Sequence, residues 1–481
     1  MRYCGISDYF HDAAIAFIDE EGNIEFAAES ERYSKRKNEP SLHKYLSDMI
    51  RPTDHITFYE DIDLRDQRAA DMLLGPKKRY EKRYIYTDFH LHHESHIFSS
   101  FYTRPWESVE DTVMLSIDGY GEYQSAVIYD HNFTMKKETL FPFSIGAMYA
   151  SATLALGLKP LEEEYIVMGM AAYGNPSYVN EVGTIISEYV EKAERTIKSL
   201  MPNSIEDLRA VIINQFQELI SKNKYDFAAS MQKWTENEII KLAKEARKYG
   251  SKLCYSGGVA QNIVANSLIR DLFDDMWIAV NPADGGSAIG AAARTWALNN
   301  NKTRINWKGP YLGYNERSNV NPKVVAKYLH DRHYCGVING PAEFGPRALG
   351  NRSLLGNPIY DVKDTVNKVK RRQPFRPFAP AIMEEFVDEY FEGHMNEYMQ
   401  FTSMAKHDYK SVTHVDGSAR VQIVRKDCSS VLRPILEEFY ELSGVPMLLN
   451  TSLNVRGKPI CNDKYDAKLF EVSNNVRVFG S

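Results

Sequence analysis

Tyr3-Cys-Gly-Ile-Ser7, Asp12-Ala-Ala-Ile-Ala-Phe-Ile18 and Ile24-Glu-Phe-Ala-Ala28 are short apolar runs. They are separated by a turn at Ser7 to His11 and by the polar Asp19-Glu-Glu-Gly-Asn23. β-prone residues bounded by turn formers predict strand, turn, strand, hairpin turn, strand. The third run leads into the charged Glu29-Ser-Glu-Arg-Tyr-Ser-Lys-Arg-Lys37. The same opening recurs further on. Val113-Met-Leu-Ser-Ile117 predicts a strand ending in the acidic, glycine-rich turn Asp118-Gly-Tyr-Gly-Glu122, and a further hairpin follows from Ser125.

A strand–turn–strand opening met twice in a large α/β chain is the pattern of a duplicated, actin-like ATPase domain, whose first hairpin lies near the nucleotide phosphates. Two more strand-to-helix turns fit such a domain. Lys252-Leu-Cys-Tyr-Ser256 runs into Gly257-Gly258, with a helix opening at Gln261-Asn262. Trp277-Ile-Ala-Val280 runs into Asn281-Pro-Ala-Asp284-Gly-Gly-Ser287, ahead of a helix expected over 288–298. Backbone amides at a glycine turn can cradle a phosphate or ribose, although tight turns need glycine in any case.

Between these elements stands His90-Leu-His92-His-Glu-Ser-His96, four of the chain's 13 histidines. On a helix His92 and His96 share a face, and that spacing can hold one divalent metal. Histidines satisfied by hydrogen bonds within a core remain an equal reading of the stretch alone.

The 481 residues are too many for one ordinary core, so two or more domains are expected. With 43% hydrophobic and 25% charged residues, the composition is that of a globular chain. No apolar run is long enough to span a bilayer and no secretory signal is recognised. The scattered cysteines (4, 254, 335, 428, 461) form no CxxC pair, which fits reduced thiols and a cytoplasmic setting. A net charge of −6 gives no general pull toward nucleic acid. Two basic clusters stand against that background, Lys77 to Arg83 and Lys368 to Arg376. The first reads as a solvated loop.

A polar stretch over 299–310 predicts a linker, dividing the chain into 1–305 and 306–481. The second part concentrates Arg347, Arg352, Lys370, Arg371, Arg372 and Arg376 among prolines, glycines and the aromatics Phe344, Phe375 and Phe378. Arginines on rigid loops suit phosphate or carboxylate, and this composition describes a pocket wall more than a nucleic-acid stripe. Asn450-Thr-Ser452 after the strand at Pro446 adds hydroxyls and an amide, with loop capping as the plain alternative.

Together these residues resemble the ATP-dependent O-carbamoyltransferases of the nodulation-factor, cephem and tobramycin type. The most specific stretches are Glu343-Phe-Gly-Pro-Arg-Ala-Leu-Gly-Asn-Arg-Ser353, Phe375-Arg-Pro-Phe-Ala-Pro380, Thr413 to Gln422 and Leu449 to Asn454. Phe10-His-Asp12, Glu29-Ser-Glu-Arg32, His92 to His96, Asp118 to Glu122, Met168-Gly-Met-Ala171, Ser256 to Asn262 and Asp284-Gly-Gly match in the first part.

The resemblance implies an actin-like first domain and a smaller YrdC-like α/β second domain. The second would make carbamoyl-adenylate and pyrophosphate from carbamoyl phosphate and ATP, and the first would transfer the carbamoyl group to a hydroxyl. It implies His92, His96 and Asp284 as metal ligands, with Fe2+ the expected ion and Mg2+ able to accompany ATP. His11 would be the general base. Gly257, Gly258 and Asn262 would hold adenosine, with Asp118 and Glu122 near it. Arg347, Lys370, Arg376 and Ser452 would bind phosphates.

The chain departs from the family pattern at Ile166, where lysine is usual, at Gln373, where glutamate is usual, and at Tyr398-Met-Gln-Phe401. The segment before His92 is also short. The change at Ile166 and the short segment bear on the acceptor more than on the activation chemistry; the acceptor is expected to be a small molecule: a sugar, nucleoside or antibiotic. A hydroxymethylated base in a nucleotide or DNA, with Lys77 to Arg83 lining its groove, is the alternative, and an inactive nucleotide-binding module a third. No membrane partner is expected. A homodimer is compatible with the sequence.

Overall fold

The computed structural model describes residues 1–65, 87–199 and 205–481. By contact density the chain forms two compact units. One contains Met1–Tyr9, Ala16–Asn23 and Arg51–Trp307, the other Phe10–Ile15, Ile24–Ile50 and Lys308–Ser481.

The repeated opening becomes a repeated sheet. β1 (Tyr3–Ser7), β2 (Ala14–Ile18), β3 (Ile24–Glu29), β4 (His55–Phe58) and β5 (Asp88–Phe89) have the order β3-β2-β1-β4-β5. β6 (Thr112–Ile117), β7 (Gln124–Asp130), β8 (Met135–Leu140), β9 (Lys252–Ser256) and β10 (Asp275–Ile278) have the order β8-β7-β6-β9-β10. Counting along each half, both read 3-2-1-4-5, which is the actin-like duplication. In the second sheet β6, β7 and β8 are antiparallel neighbours, while β6, β9 and β10 run parallel. In the first, β1, β4 and β5 run parallel. β1 and β6 are buried along their whole length, as expected of central strands covered on both faces.

Two helices place the histidines. One spans His92–Thr103, the other Asp284–Asn300. The second carries Gly285-Gly-Ser-Ala-Ile-Gly-Ala-Ala-Ala293, nearly all small, and lies against both β1 and the His92 helix. Gly290 shows why small residues are needed: a Cβ there would lie 1.9 Å from the Ser95 carbonyl oxygen. The expected start of this helix at 288 is therefore four residues late. Its glycines serve close helix packing, and the helix opens at Asp284 itself.

The second unit is mixed α/β. Its strands are β11 (Tyr311–Glu316), β12 (Tyr334–Ile338), β13 (Gly340–Glu343), β14 (Arg352–Gly356), β15 (Ala379–Met383), β16 (Phe391–Gly393), β17 (Ser403–Ala405), β18 (Ser418–Ala419), β19 (Gln422–Val424), β20 (Met447–Ser452) and β21 (Val478–Phe479). Six of them form the sheet β19-β15-β20-β14-β12-β21, β11 pairs with β13, and β16 to β18 form a small sheet. One core packs Leu355, Ala381 and Leu448 against Val325, Leu329, Leu436 and Phe439. Another gathers Ile338, Leu354, Leu449, Val366 and Phe470. Ser452 is the last residue of β20, paired with Ser353, where a loop was expected. No described helix is long and apolar enough to cross a membrane.

Candidate functional site

In the first unit His92 is the first residue of its helix, Asp284 opens another, and Asp118 follows β6 directly. The N-terminus of the His92 helix is capped from a distance. Leu91 has no side-chain oxygen to offer, and the buried Glu122 carboxylate accepts from the His92 backbone N–H at 3.0 and 3.2 Å and from Asp61 N–H at 3.2 Å.

Four side chains converge there. His96 Nε2 is 3.1 Å from His92 Nε2, 2.8 Å from Asp118 Oδ2 and 3.3 Å from Asp284 Oδ1. His92 Nε2 is 3.6 Å from each of Asp118 Oδ2 and Asp284 Oδ1. One ligand atom from each lies within 4.8 Å of all the others. A cation with bonds of about 2.1 Å separates its ligand atoms by about 3.0–3.4 Å. The cluster already has nearly that spacing, and its donor set of two imidazoles and two carboxylates suits a divalent metal of the iron or zinc kind.

The electrostatics agree with the geometry. Burial pushes the His96 imidazole toward its neutral form, but Asp118 and Asp284 outweigh it and raise its pKa to about 9. Burial pushes the Asp118 carboxyl up, yet its bonds to His92 and His96 hold it well below the usual carboxylate range. The site therefore draws positive charge. The other two histidines do not share it. His93 uses both ring nitrogens, at 2.9 Å from Ser116 Oγ and 3.0 Å from the Gln124 carbonyl, and burial lowers its pKa to about 3. His90 lies 3.3 Å from Thr295 Oγ1 and falls to about 4 for the same reason.

In the second unit the cations sort into two kinds. Arg352 is structural. It is fully buried and donates to the carbonyls of Tyr314, Asn339, Gly340, Asn351 and Asn462 at 2.8–3.1 Å. Arg372 likewise bonds Asn367 and the Pro377 carbonyl and lies over the Phe378 ring. Glu343 ties the same loop by accepting from the backbone of Leu349, Asn351 and Arg352.

The remaining cations press on one another. Lys370 is buried, with its Nζ against Ser452 O and Oγ and Asn454 O and Oδ1. Burial, with the charges of Arg372 and Arg376, pushes it well below the ordinary lysine value. Arg420 is lowered by burial and by the charges of Arg347 and Arg376. Arg347, Arg376, Lys370 and Arg420 thus bring like charges to bear on one another, an arrangement that an anion would relieve, and Ser452 Oγ lies beside Lys370. His11 also belongs to this unit, with Nδ1 3.0 Å from Asp12 Oδ2. The basic stretch Lys77 to Arg83 lies outside the described residues.

Two family models match the chain: the carbamoyltransferase N-terminus over residues 64–293 and the carbamoyltransferase C-terminus over residues 326–479. The chain belongs to the carbamoyltransferase family. Nodulation protein NolO of Bradyrhizobium diazoefficiens is 30% identical, the match covering 78% of this chain and 75% of that protein. Nodulation protein U of the same organism is 28% identical over 95% of this chain and 93% of its own. An uncharacterized protein of Synechocystis is 29% identical over 96% and 93%.

In this carbamoyltransferase the glycine turn after β9 passes through Gly257, whose φ of +89° favours glycine. Asn262 caps the following helix through Ala265 N–H at 3.1 Å. Its amide also exchanges two hydrogen bonds, of 3.0 and 3.1 Å, with Gln232, which accepts from the Tyr149 hydroxyl as well. Gln232 sits on the helix Lys224–Ala246, and nothing local in the sequence marks it. Sequence reasoning also missed Arg420, and it placed Asp118 beside the nucleotide, whereas the fold puts its Oδ2 among the histidines. An Asp-Gly turn after a strand reads the same in either role. Only the β6–β9 pairing and the helix behind it decide which one it faces.

Proposed function

We propose that this enzyme makes carbamoyl-adenylate from carbamoyl phosphate and ATP with the clustered cations of its second unit and then passes the carbamoyl group to an acceptor hydroxyl. The convergence of His92, His96, Asp118 and Asp284, in a chain of this family, carries the reading. In the activation step water takes the phosphate of carbamoyl phosphate as inorganic phosphate. A carbamate oxygen then bonds to the α-phosphorus of ATP, and pyrophosphate leaves. Arg347, Lys370, Arg376, Arg420 and Ser452 neutralise and orient the charged oxygens of both reactants, the electrostatic work that phosphoryl chemistry asks of a protein. Mg2+ can accompany the ATP.

In the transfer step Gly257, Gly258 and Asn262 hold the adenosine, and His11 takes the proton of the acceptor hydroxyl as the oxygen bonds to the carbamoyl carbon and AMP leaves. Asp12, bonded to Nδ1, keeps the imidazole turned so that Nε2 serves as the base. His92, His96, Asp118 and Asp284 would hold the metal, Fe2+ on this reading, which supplies Lewis-acid polarisation of the adenylate. The acceptor is a small molecule bearing a hydroxyl.

The test is a split assay. Carbamoyl phosphate should drive pyrophosphate release from ATP, and a complete absence of release would refute the reading. His11→Asn should release pyrophosphate normally while losing carbamoylated product by about 100-fold or more, the scale of a lost general base.

A further inference from the structure

The two imidazoles of the metal cluster are backed in different ways. His96 has Nδ1 3.0 Å from Ser287 Oγ, a buried hydroxyl one turn beyond Asp284 on the same helix. The hydroxyl can accept the Nδ1 proton, which leaves the Nε2 lone pair facing the cluster. His92 has no such hydroxyl. Its Nδ1 is buried without a hydrogen-bond partner among the described residues, and the nearest carboxylate is Glu60, with Oε2 3.9 Å away.

Glu60 follows β4 and is 3% exposed. Its other oxygen is bonded by the Arg65 guanidinium. A carboxylate taken this far from water is costly unless something nearby uses its charge. Arg65 accounts for Oε1. Oε2 is turned toward the imidazole, 3.9 Å from Nδ1.

We propose that Glu60 is the outer acceptor for His92. It is a positioning residue that keeps the proton on Nδ1, frees Nε2 and raises its basicity toward a divalent cation, while Arg65 holds it in place. Ser287 is its neutral counterpart at His96. A metal-bound histidine usually gives its second N–H to such a group, and loss of a carboxylate costs metal affinity without removing a ligand. The stronger acceptor stands behind the ring that opens the helix and has fewer constraints of its own. The inference rests on the metal reading above.

Titration of the full chain with Co2+, followed by its visible absorption, tests it. Glu60→Gln keeps the shape and one acceptor oxygen but loses the charge, and should weaken Co2+ binding by about 10–100-fold. Ser287→Ala should weaken it by a smaller factor. A purely structural Glu60 would instead lower the melting temperature of the metal-free protein and leave the Co2+ affinity of the folded fraction unchanged. That outcome overturns the inference while leaving the metal site standing. A wild-type chain that takes up no Co2+ overturns both. If Glu60→Gln fails to fold, Glu60→Asp, which draws the carboxylate back by one methylene, is read in its place. Weakened binding supports the proposal and unchanged binding refutes it.

Discussion

In the first unit two imidazoles and two carboxylates face one another at 2.8–3.6 Å. In the second, Arg347, Arg376 and Arg420 raise one another's electrostatic cost, and Arg376 does the same to the buried Lys370. One region is short of a cation and the other is short of anions. The difference lies in how each is held. The first cluster is built from His92, Asp118 and Asp284 at element ends and His96 one turn into its helix, with the two helices packed by small side chains, so its geometry is set before any ligand arrives. The second stands largely on loops whose shape is imposed by other charged groups, Arg352 and Glu343, whose hydrogen bonds go to backbone. Charge in a motif therefore has two uses here: Arg352 is spent on backbone carbonyls, whereas Lys370 and Arg420 are held against the charges of neighbouring arginines.

The strongest way to break this contrast is to remove a charge of the structural kind. Arg352→Met should be far more damaging than its loss of charge suggests. It strands five buried or half-buried carbonyls that now receive six hydrogen bonds. The expected cost is about 4 kcal/mol or more, read as a lowered denaturation midpoint of the full chain. A variant as stable as wild type would mean that the loop is held by something other than this guanidinium.

Arg376→Ala is the matching change of the functional kind. It relieves repulsion on Lys370 and Arg420, so it should lower the denaturation midpoint far less than Arg352→Met does. Carbamoyl-phosphate-driven pyrophosphate release should fall by about 100-fold, the usual loss when one preorganised charge-stabilising donor is removed. Co2+ uptake should be unaltered. Unchanged pyrophosphate release would take Arg376 out of the anion site and leave Arg347, Arg420 and Lys370 to fill it.

How much of this could be read from the chain follows the same division. Strand–turn–strand periodicity is local, so the doubled sheet was legible from the first 37 residues and their echo at Val113. The i, i+4 spacing made His92 and His96 legible, because a helix converts that spacing into one face. Asp118 was not, since its neighbours in space come from a helix about 20 residues upstream and from Asp284. Arg352 and Arg376 stand in equally basic, proline-rich surroundings. Nothing local tells which arginine will be ringed by carbonyls, because the carbonyls come from β13, the β20–β21 connection and β11. The glycines after Asp284 were read as a turn because close helix packing uses the same residues as a tight bend.

Glu29 offers the smallest and sharpest test, because it is an acid whose charge neither cluster needs. In the second unit Lys37 Nζ bonds both Glu31 carboxylate oxygens at 2.8 and 2.9 Å, whereas the Arg32 guanidinium stands 3.7 Å from Glu29. Burial, then the charge of Glu31, pushes Glu29 up to about 7 from an ordinary 4.5, against the opposing pull of Arg32 and Lys37. The folded chain thus holds a proton that the unfolded chain gives up sooner. The stabilising contribution is fully present below pH 4.5 and is lost as pH rises through about 7, where the folded protein must ionise a carboxyl in a poor environment. Between those values wild type should lose about 2–3 kcal/mol relative to Glu29→Gln, which has no proton to lose. Denaturation of both proteins at several pH values across that window reads the difference directly. Parallel curves would mean that Lys37 serves Glu29 as well as Glu31. The second unit would then neutralise its acids as completely as the first gathers its own around a cation.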